Sequence, residues 1–324
     1  MRTLITGGCG FIGSYVAQRI CEKGRPVVVL DDLSSGNEAN LCWKTDGEGM
    51  EVVIGDVNDD GLLSRLVPSC QNIIHLAAIP SVAESIAHPL HTHRVNLDAT
   101  LKLLVLAREH HVERFIHISS CAVYGNEELP VKVEEGPLSP ISPYAVQKLA
   151  GEYYARTFFR LFGLPTVSLR LFNVYGPRQA SDSDYAGVIA KFCHCAINGE
   201  SPVVFGDGLQ TRDFVYVEDV VAAITACLEV PLENIAGRCF NIGTGKSCSL
   251  LDLIGSLGDL AGRRLSPRFV DGRSGDVRSS RASIDAAQKY LLYQPEFELN
   301  RGLGLTLEFY RGQLGLPPNS PPAP

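Results

Sequence analysis

Thr3-Leu-Ile-Thr6-Gly-Gly-Cys-Gly-Phe-Ile-Gly13 decides how this 324-residue chain is read. Four residues suited to a buried strand run into a glycine cluster. Phe11 to Lys23 then carries Ile12, Val16 and Ile20 at helical spacing, and Gly24 is placed to end that helix. The cluster contains G-x-G-x-x-G from Gly8 and G-x-x-G-x-x-G through Gly7, Gly10 and Gly13. A lone glycine pattern serves any tight turn. Between a strand and a helix, glycines let backbone N–H groups and the helix N-terminus approach a pyrophosphate.

Working outward, the pattern repeats. Strands are predicted at Pro26–Leu30, Glu51–Gly55, Asn72–Leu76, Arg114–Ile118 and Thr166–Leu171, and helices at Leu97–His111 and Tyr144–Phe162. Runs of Val, Ile and Leu alternating with helices imply a parallel sheet buried on both faces. The second strand ends in Asp31-Asp32, 18 residues past Gly13. Asp31 is placed to accept hydrogen bonds from an adenosine ribose. Asp32-Leu-Ser34-Ser35-Gly36 offers no Arg or Lys to neutralise a 2′-phosphate, so NAD is favoured over NADP. Asp56-Val57, after the third strand, suits the adenine edge or a loop cap.

Tyr144-x-x-x-Lys148, with Ser119-Ser120 upstream at a strand end, is the second chemical motif. Residues i and i+4 share a helix face, which puts an ammonium near a phenol. A tyrosine acting as a base near neutral pH needs about 3 units of pKa depression, or about 4 kcal/mol. Lys148 and a nicotinamide cation are the expected sources. Ser120 would hydrogen-bond the reacting oxygen.

With these motifs on the page, the chain resembles the extended short-chain dehydrogenases/reductases, in particular nucleotide-sugar epimerases of the UDP-glucose 4-epimerase type. The likeness runs over residues 1–312. It includes His75-Leu-Ala-Ala78, Asn96, Ser119-Ser-Cys-Ala-Val-Tyr-Gly125 and Arg170-Leu-Phe-Asn-Val-Tyr-Gly-Pro-Arg178. It continues through Val204-Phe-Gly-Asp-Gly208, Thr211-Arg-Asp-Phe-Val-Tyr216, Asn241-Ile-Gly-Thr-Gly245 and Arg273-Ser-Gly-Asp276.

The resemblance implies a Rossmann-type, doubly wound α/β fold with a smaller interleaved C-terminal substrate lobe. Residues 1–171, with a segment at about 212–243 returning to them, would bind NAD. Residues 172–211 and 244–315 would bind the nucleotide sugar. Leu316–Pro324, with five prolines in nine residues, reads as an unstructured tail.

For NAD, the resemblance implies Gly7, Gly10, Phe11, Ile12, Gly13, Asp31, Asp32, Ser34, Ser35, Gly36, Asp56, Val57, Leu76, Ala77, Ala78, Asn96, Tyr144 and Lys148. For the UDP-sugar it implies Ser81, Ser120, Tyr144, Asn173, Val188, Phe205, Arg212, Arg273, Asp276 and Ser280. Arg212 and Arg273 would fork onto the diphosphate, Phe205 would meet the base and Asp276 its ribose. Ser81 and Glu84 line the sugar or cap a helix. Ser280 stands where relatives restricted to glucose and galactose carry Tyr, which implies tolerance of 2-acetamido sugars.

Relatives that dehydrate the sugar place Asp-Glu after the catalytic Ser or Thr, and this chain has Cys121-Ala122. Decarboxylating relatives need Glu where Ala122 stands. Glucuronate epimerases carry Thr and Arg where this chain has Asn173 and Ala180. What is left is C4 epimerisation. Another NAD-dependent nucleotide-sugar enzyme, such as a reductase or an epimerase at another carbon, is the alternative. A non-catalytic module on the same fold is a further one, but such proteins typically lose the Tyr or Lys.

Composition narrows the partners. With 29 Lys and Arg against 36 Asp and Glu, the net charge is −7 and no basic stripe suggests nucleic acid. No apolar run is long enough to span a membrane, and nothing at the start reads as a signal peptide, so a cytoplasmic location is expected. Ten scattered cysteines lack any C-x-x-C and read as small apolar residues. Cys193-His194-Cys195 diverges around a helix too widely to hold one metal ion, so no metal is expected. A homodimer is expected through the two long helices paired as a four-helix bundle, with Tyr153, Tyr154, Phe158, Leu103 and Leu104 as apolar bulk.

Overall fold

The computed structural model describes residues 2–43, 49–180, 187–272 and 277–317. Seven strands form one parallel sheet: β1 (Thr3–Thr6), β2 (Val27–Asp31), β3 (Met50–Ile54), β4 (Asn72–His75), β5 (Arg114–Ser120), β6 (Thr166–Leu171) and a late strand, Arg238–Ile242. The spatial order is β3-β2-β1-β4-β5-β6, with Arg238–Ile242 on the far edge. This is the doubly wound Rossmann order, and the chain reverses direction across the sheet between β1 and β4. Ligands of such sheets bind beyond the strand C-termini at that reversal.

Alternation along each strand divides the core. Ile5, Val27, Val29, Ile74, Ile116 and Leu169 enter one cluster, and Leu4, Val28, Leu30, Ile73 and Phe115 the other. A period of two with both sets apolar means that helices cover both faces.

The helices in the first half are α1 (Phe11–Glu22), α2 (Asp60–Leu66), α3 (Val82–Ala87), α4 (Pro89–His93), α5 (Ala99–Glu109) and α6 (Pro143–Phe162). Helix α6 has strong local signals. The Ser142 side chain accepts from Ala145 N, Pro143 opens the first turn, and Gly163 closes it at φ 71°. The predicted helix at Leu97 differs at its start. A wide π-turn over Arg94–Asp98 joins α4 to α5, so regular α-helix begins at Ala99. That turn buries Asn96, a packing demand that apolar spacing does not encode.

Past β6 come short elements: β7 (Asn173–Tyr175), α7 (Val188–Asn198), β8 (Val203–Phe205), β9 (Thr211–Arg212), β10 (Phe214–Tyr216), α8 (Val217–Ala226) and α9 (Leu232–Ile235). The late strand Arg238–Ile242 is β11, followed by β12 (Cys248–Ser249), α10 (Leu250–Leu260), β13 (Arg268–Val270), α11 (Asp285–Leu291) and α12 (Leu299–Gln313). Three small sheets result: β7 with β10, β8 with β13, and β9 antiparallel to β12. Of the proline-rich end, Leu316 N bonds Arg311 O and the Pro317 carbonyl accepts from the Arg311 guanidinium. The rest of that segment, with Arg273 and Asp276, lies outside the described residues.

Among the described residues, no helix is long and apolar enough to cross a membrane.

Candidate active site

The glycine turn after β1 is closed by contacts that exclude side chains. A Cβ on Gly13 would stand 2.1 Å from the Gly7 carbonyl oxygen, and one on Gly7, at φ 73°, would stand 2.7 Å from Ala77 N. Helix α1 therefore begins against β1 and the loop after β4. Its N-cap, Gly10, supplies no side-chain cap, and its first turn holds no acid. The first N–H groups of α1 and the positive end of its dipole are left for an anion. Phe11 and Ile12 are half-buried on that turn, and Leu76, Ala77 and Ala78 form the facing wall.

Asp31 is buried at the end of β2, where its carboxylate accepts from Cys9 N and Leu33 N, each at 2.9 Å. Burial raises its pKa, and these hydrogen bonds oppose the rise. A Cβ on Gly36 would meet Asp31 Oδ1 at 2.7 Å, so the 33–36 loop closes over the carboxylate. Asp32 is exposed and accepts from the N–H and hydroxyl of Ser34; Ser35 is exposed beside it. The paired carboxylates keep the 2′ end of a ribose negative, which suits NAD. Asp56 caps its own loop, accepting from Asn58 N at 2.8 Å, and Val57 is buried in the core beside it.

Asn96 is wholly buried, with Ile79 N bonded to its Oδ1 and its Nδ2 on Gln147 Oε1 and the Ile79 carbonyl. In this structure its side chain holds the loop at Ile79. Ser81 is likewise spent on its helix, accepting from Glu84 N as the cap of α3.

Tyr144 lies in the first turn of α6 and Ser120 at the end of β5, close enough for the serine hydroxyl to act on the phenol. Burial pushes the Tyr144 phenol up to about 12, and the Ser120 hydroxyl works against it. Lys148, one turn on, is buried and donates to the Ile118 carbonyl at 2.9 Å. Burial brings its pKa down to about 8, with Glu152 pulling it back up. Without a cofactor, burial dominates the phenol; the expected depression calls for Lys148 together with a cationic nicotinamide beside it.

The segments after β7 are tied together near Cys121 by hydrogen bonds. Phe205 ends β8, and its carbonyl accepts from Gln210 Nε2 at 2.7 Å. Thr211 follows in β9, its carbonyl accepting from Ser280 N at 3.1 Å and its hydroxyl on Ser279 Oγ at 3.0 Å. Buried Ser280 lies beside the Cys121 thiol, next to Ser120, and favours its ionised form. Arg212 lies close enough to act on that thiol electrostatically, while burial raises the thiol to about 11. Asn173 N bonds the Asp213 carbonyl, and its Oδ1 is sealed from solvent without a partner. A buried orphan acceptor at a strand end is a polar group awaiting a donor. Val188 starts α7, half-buried against the larger core.

Two positioning groups escaped the sequence reading. The wholly buried Asp213 carboxylate gathers Thr244 N, Thr244 Oγ1, Gly245 N and Ala282 N at 2.7–3.1 Å, tying β9 to the loops around Ser280. Buried Glu152 binds Arg170 through both carboxylate oxygens and accepts from the Ser119 hydroxyl. Glu152 follows Lys148 by one turn, a spacing the sequence displays. Its partners on β5 and β6 appear only in three dimensions.

Residues 3–243 match the model of the NAD dependent epimerase/dehydratase family. The chain belongs to that family. It is an extended short-chain dehydrogenase/reductase of the UDP-sugar 4-epimerase group, and NAD is its cofactor. It is 38% identical over 317 residues to a UDP-glucose 4-epimerase of Mycolicibacterium smegmatis, covering 97% of this chain and 99% of the relative. The crystal structure of UDP-glucose 4-epimerase from Thermotoga maritima with UDP-glucose superposes with a TM-score of 0.89 at 36% identity, over 97% of this chain and all of that one. UDP-N-acetylglucosamine 4-epimerase of Methanobrevibacter ruminantium, in complex with UDP-N-acetylmuramic acid, gives 0.90 at 35%, over 96% and 98%.

Proposed function

We propose that this family member inverts C4 of a UDP-hexose through a transient 4-keto sugar. The observation that carries the reading is buried Tyr144 beside Ser120 at the end of β5, with Lys148 held one turn on and Cys121-Ala122 alongside. NAD, when bound, takes up and returns a hydride at C4. Tyr144 accepts the 4-hydroxyl proton and later returns it to the same oxygen. Ser120 donates a hydrogen bond to that oxygen in both half-reactions. Cys121 is a thiol pushed up to about 11 and Ala122 carries no polar group, so neither position offers a carboxylate to eliminate water.

Asn173, Arg212 and Arg273 hold the diphosphate, Phe205 faces the base and Asp276 its ribose. Anchoring at that end leaves the keto ring free to turn and present its other face. Ser280, buried beside Cys121, leaves room at the back of the sugar, so UDP-GlcNAc and UDP-GalNAc are converted as well as UDP-Glc and UDP-Gal. The likeness to both a glucose and an N-acetylglucosamine epimerase supports this range.

The test is incubation with a panel of UDP-hexoses, following C4 inversion by NMR and NADH by absorbance. Inversion without net NADH supports the reading. Net NADH consumption would instead show a reductase.

The active unit is proposed to be a homodimer through α5 and α6, with a corrected contact set. Leu103, Leu104 and Phe158 are buried in their own subunit's core and offer nothing to a partner. Tyr154, Val146 and Leu161 remain exposed on α6, while the exposed Tyr153 ring lines the cleft beside Arg156.

A further inference from the structure

A cavity of about 500 Å³ opens between α6 and α11, over the edge strand β11 and its neighbour β6. Its walls hold none of the residues assigned above to NAD or the sugar. We propose that it is a second ligand site, for a small phosphate-bearing anion.

Charge is the first argument. Arg156, Arg160 and Arg238 stand at its walls, with the carboxylates Glu134 and Glu135. Glu134 is engaged by Asn241 N at 2.8 Å. At the floor, Arg170 and Glu152 neutralise each other. Three exposed guanidiniums against the carboxylates of Glu134 and Glu135 leave the cleft one positive charge in excess, on a chain of net charge −7. Arg156 and Arg160 also stand four apart on one helix, where like charges repel.

Preorganisation is the second. The Arg156 guanidinium lies over the Tyr153 ring at 5.0 Å, and Arg238 over Tyr290 at 4.3 Å. Stacking fixes the plane of a guanidinium while leaving N–H donors at its edge. None of these three arginines is in an ion pair among the described residues. Phosphate oxygens accept forked guanidinium donors, and several can be shared among three arginines. The volume falls in the ordinary range for small-molecule sites.

The experiment uses the full chain and inorganic pyrophosphate, with binding read by calorimetry. The expected result is a salt-sensitive site that weakens at least tenfold in R156A/R160A and in R238A, and persists in R212A. Thermal melting and NAD content should match wild type in the cleft variants, whose substituted residues are exposed. Absence of pyrophosphate binding at millimolar concentration overturns the proposal. So does binding that survives R156A/R160A unchanged, or that R212A alone removes. The readout does not depend on turnover, so its failure leaves the epimerase reading standing.

Discussion

The Lys148 ammonium donates to the carbonyl of Ile118 at 2.9 Å, two residues before Ser120 on the same strand. That bond ties the first turns of α6 to the end of β5. Tyr144 and Ser120 are set by the same two elements, so the lysine fixes their spacing as well as supplying charge. Deep burial has a cost on both sides: the phenol is held up at about 12 and the ammonium down at about 8.

The phenol's titration should therefore respond to the cofactor. Cofactor-free protein should show the Tyr144 transition near 12, seen as tyrosinate absorbance missing from Y144F. Binding of NAD should move it downward, since a positive nicotinamide favours phenolate. Y144F should keep NAD and lose turnover by more than about 100-fold. Near-wild-type turnover in Y144F would remove the tyrosine from the mechanism.

Lys148→Met separates stability from activity. The folded-state pKa lies below the unfolded value, so the unfolded chain binds more protons between about 8 and 10.5. Wild-type stability should rise relative to K148M through that window, by a total on the order of 3 kcal/mol. Below pH 8 the desolvation penalty is fully present in wild type. Urea denaturation at pH 7.5 and 10 reads the difference, and a gap independent of pH contradicts a buried charged lysine.

Glu152→Gln should be among the most damaging single changes outside the reacting groups. It leaves the Arg170 guanidinium, whose side chain is 4% exposed, without a counter-charge. Breaking such a buried pair costs about 3–5 kcal/mol. The double variant E152Q/R170M should recover part of that loss. A cost under about 1 kcal/mol for E152Q, measured by chemical denaturation, would show the pair to be solvated.

Ser280→Tyr tests the sugar range. Overfilling a packed site costs about 1–3 kcal/mol, a bias of about ten- to a hundredfold. The variant should lose UDP-GlcNAc and UDP-GalNAc turnover while keeping that of UDP-Glc and UDP-Gal. Equal loss on all four sugars would assign Ser280 to general packing beside Cys121.

The dimer should depend on the exposed face of α6. Wild type should sediment as a dimer at micromolar concentration, and Y154E/L161E as a folded monomer. A monomeric wild type refutes the bundle.

The sequence by itself determined the strand-turn-helix cradle, the strand rhythm of the first half and the Tyr144–Lys148 helix, because these depend on local rules. Glycines that a strand-to-helix turn requires, a period of two for strands and an i, i+4 spacing for a shared helix face all operate within a few residues. Only the tertiary structure decided the rest. A π-turn sinks Asn96 beneath the loop at Ile79, a burial that apolar spacing does not encode. Of the apolar bulk on the two long helices, Leu103, Leu104 and Phe158 fill the subunit's own core, since amphipathic spacing does not say which neighbour takes a face. Asp213 and the Glu152–Arg170 pair carry no local signature; their worth comes from donors that folding brings from distant segments. The pKa of Tyr144 followed the same logic: the one-turn spacing to Lys148 was legible in the sequence, but the depth of burial that raises the phenol was set by packing around it.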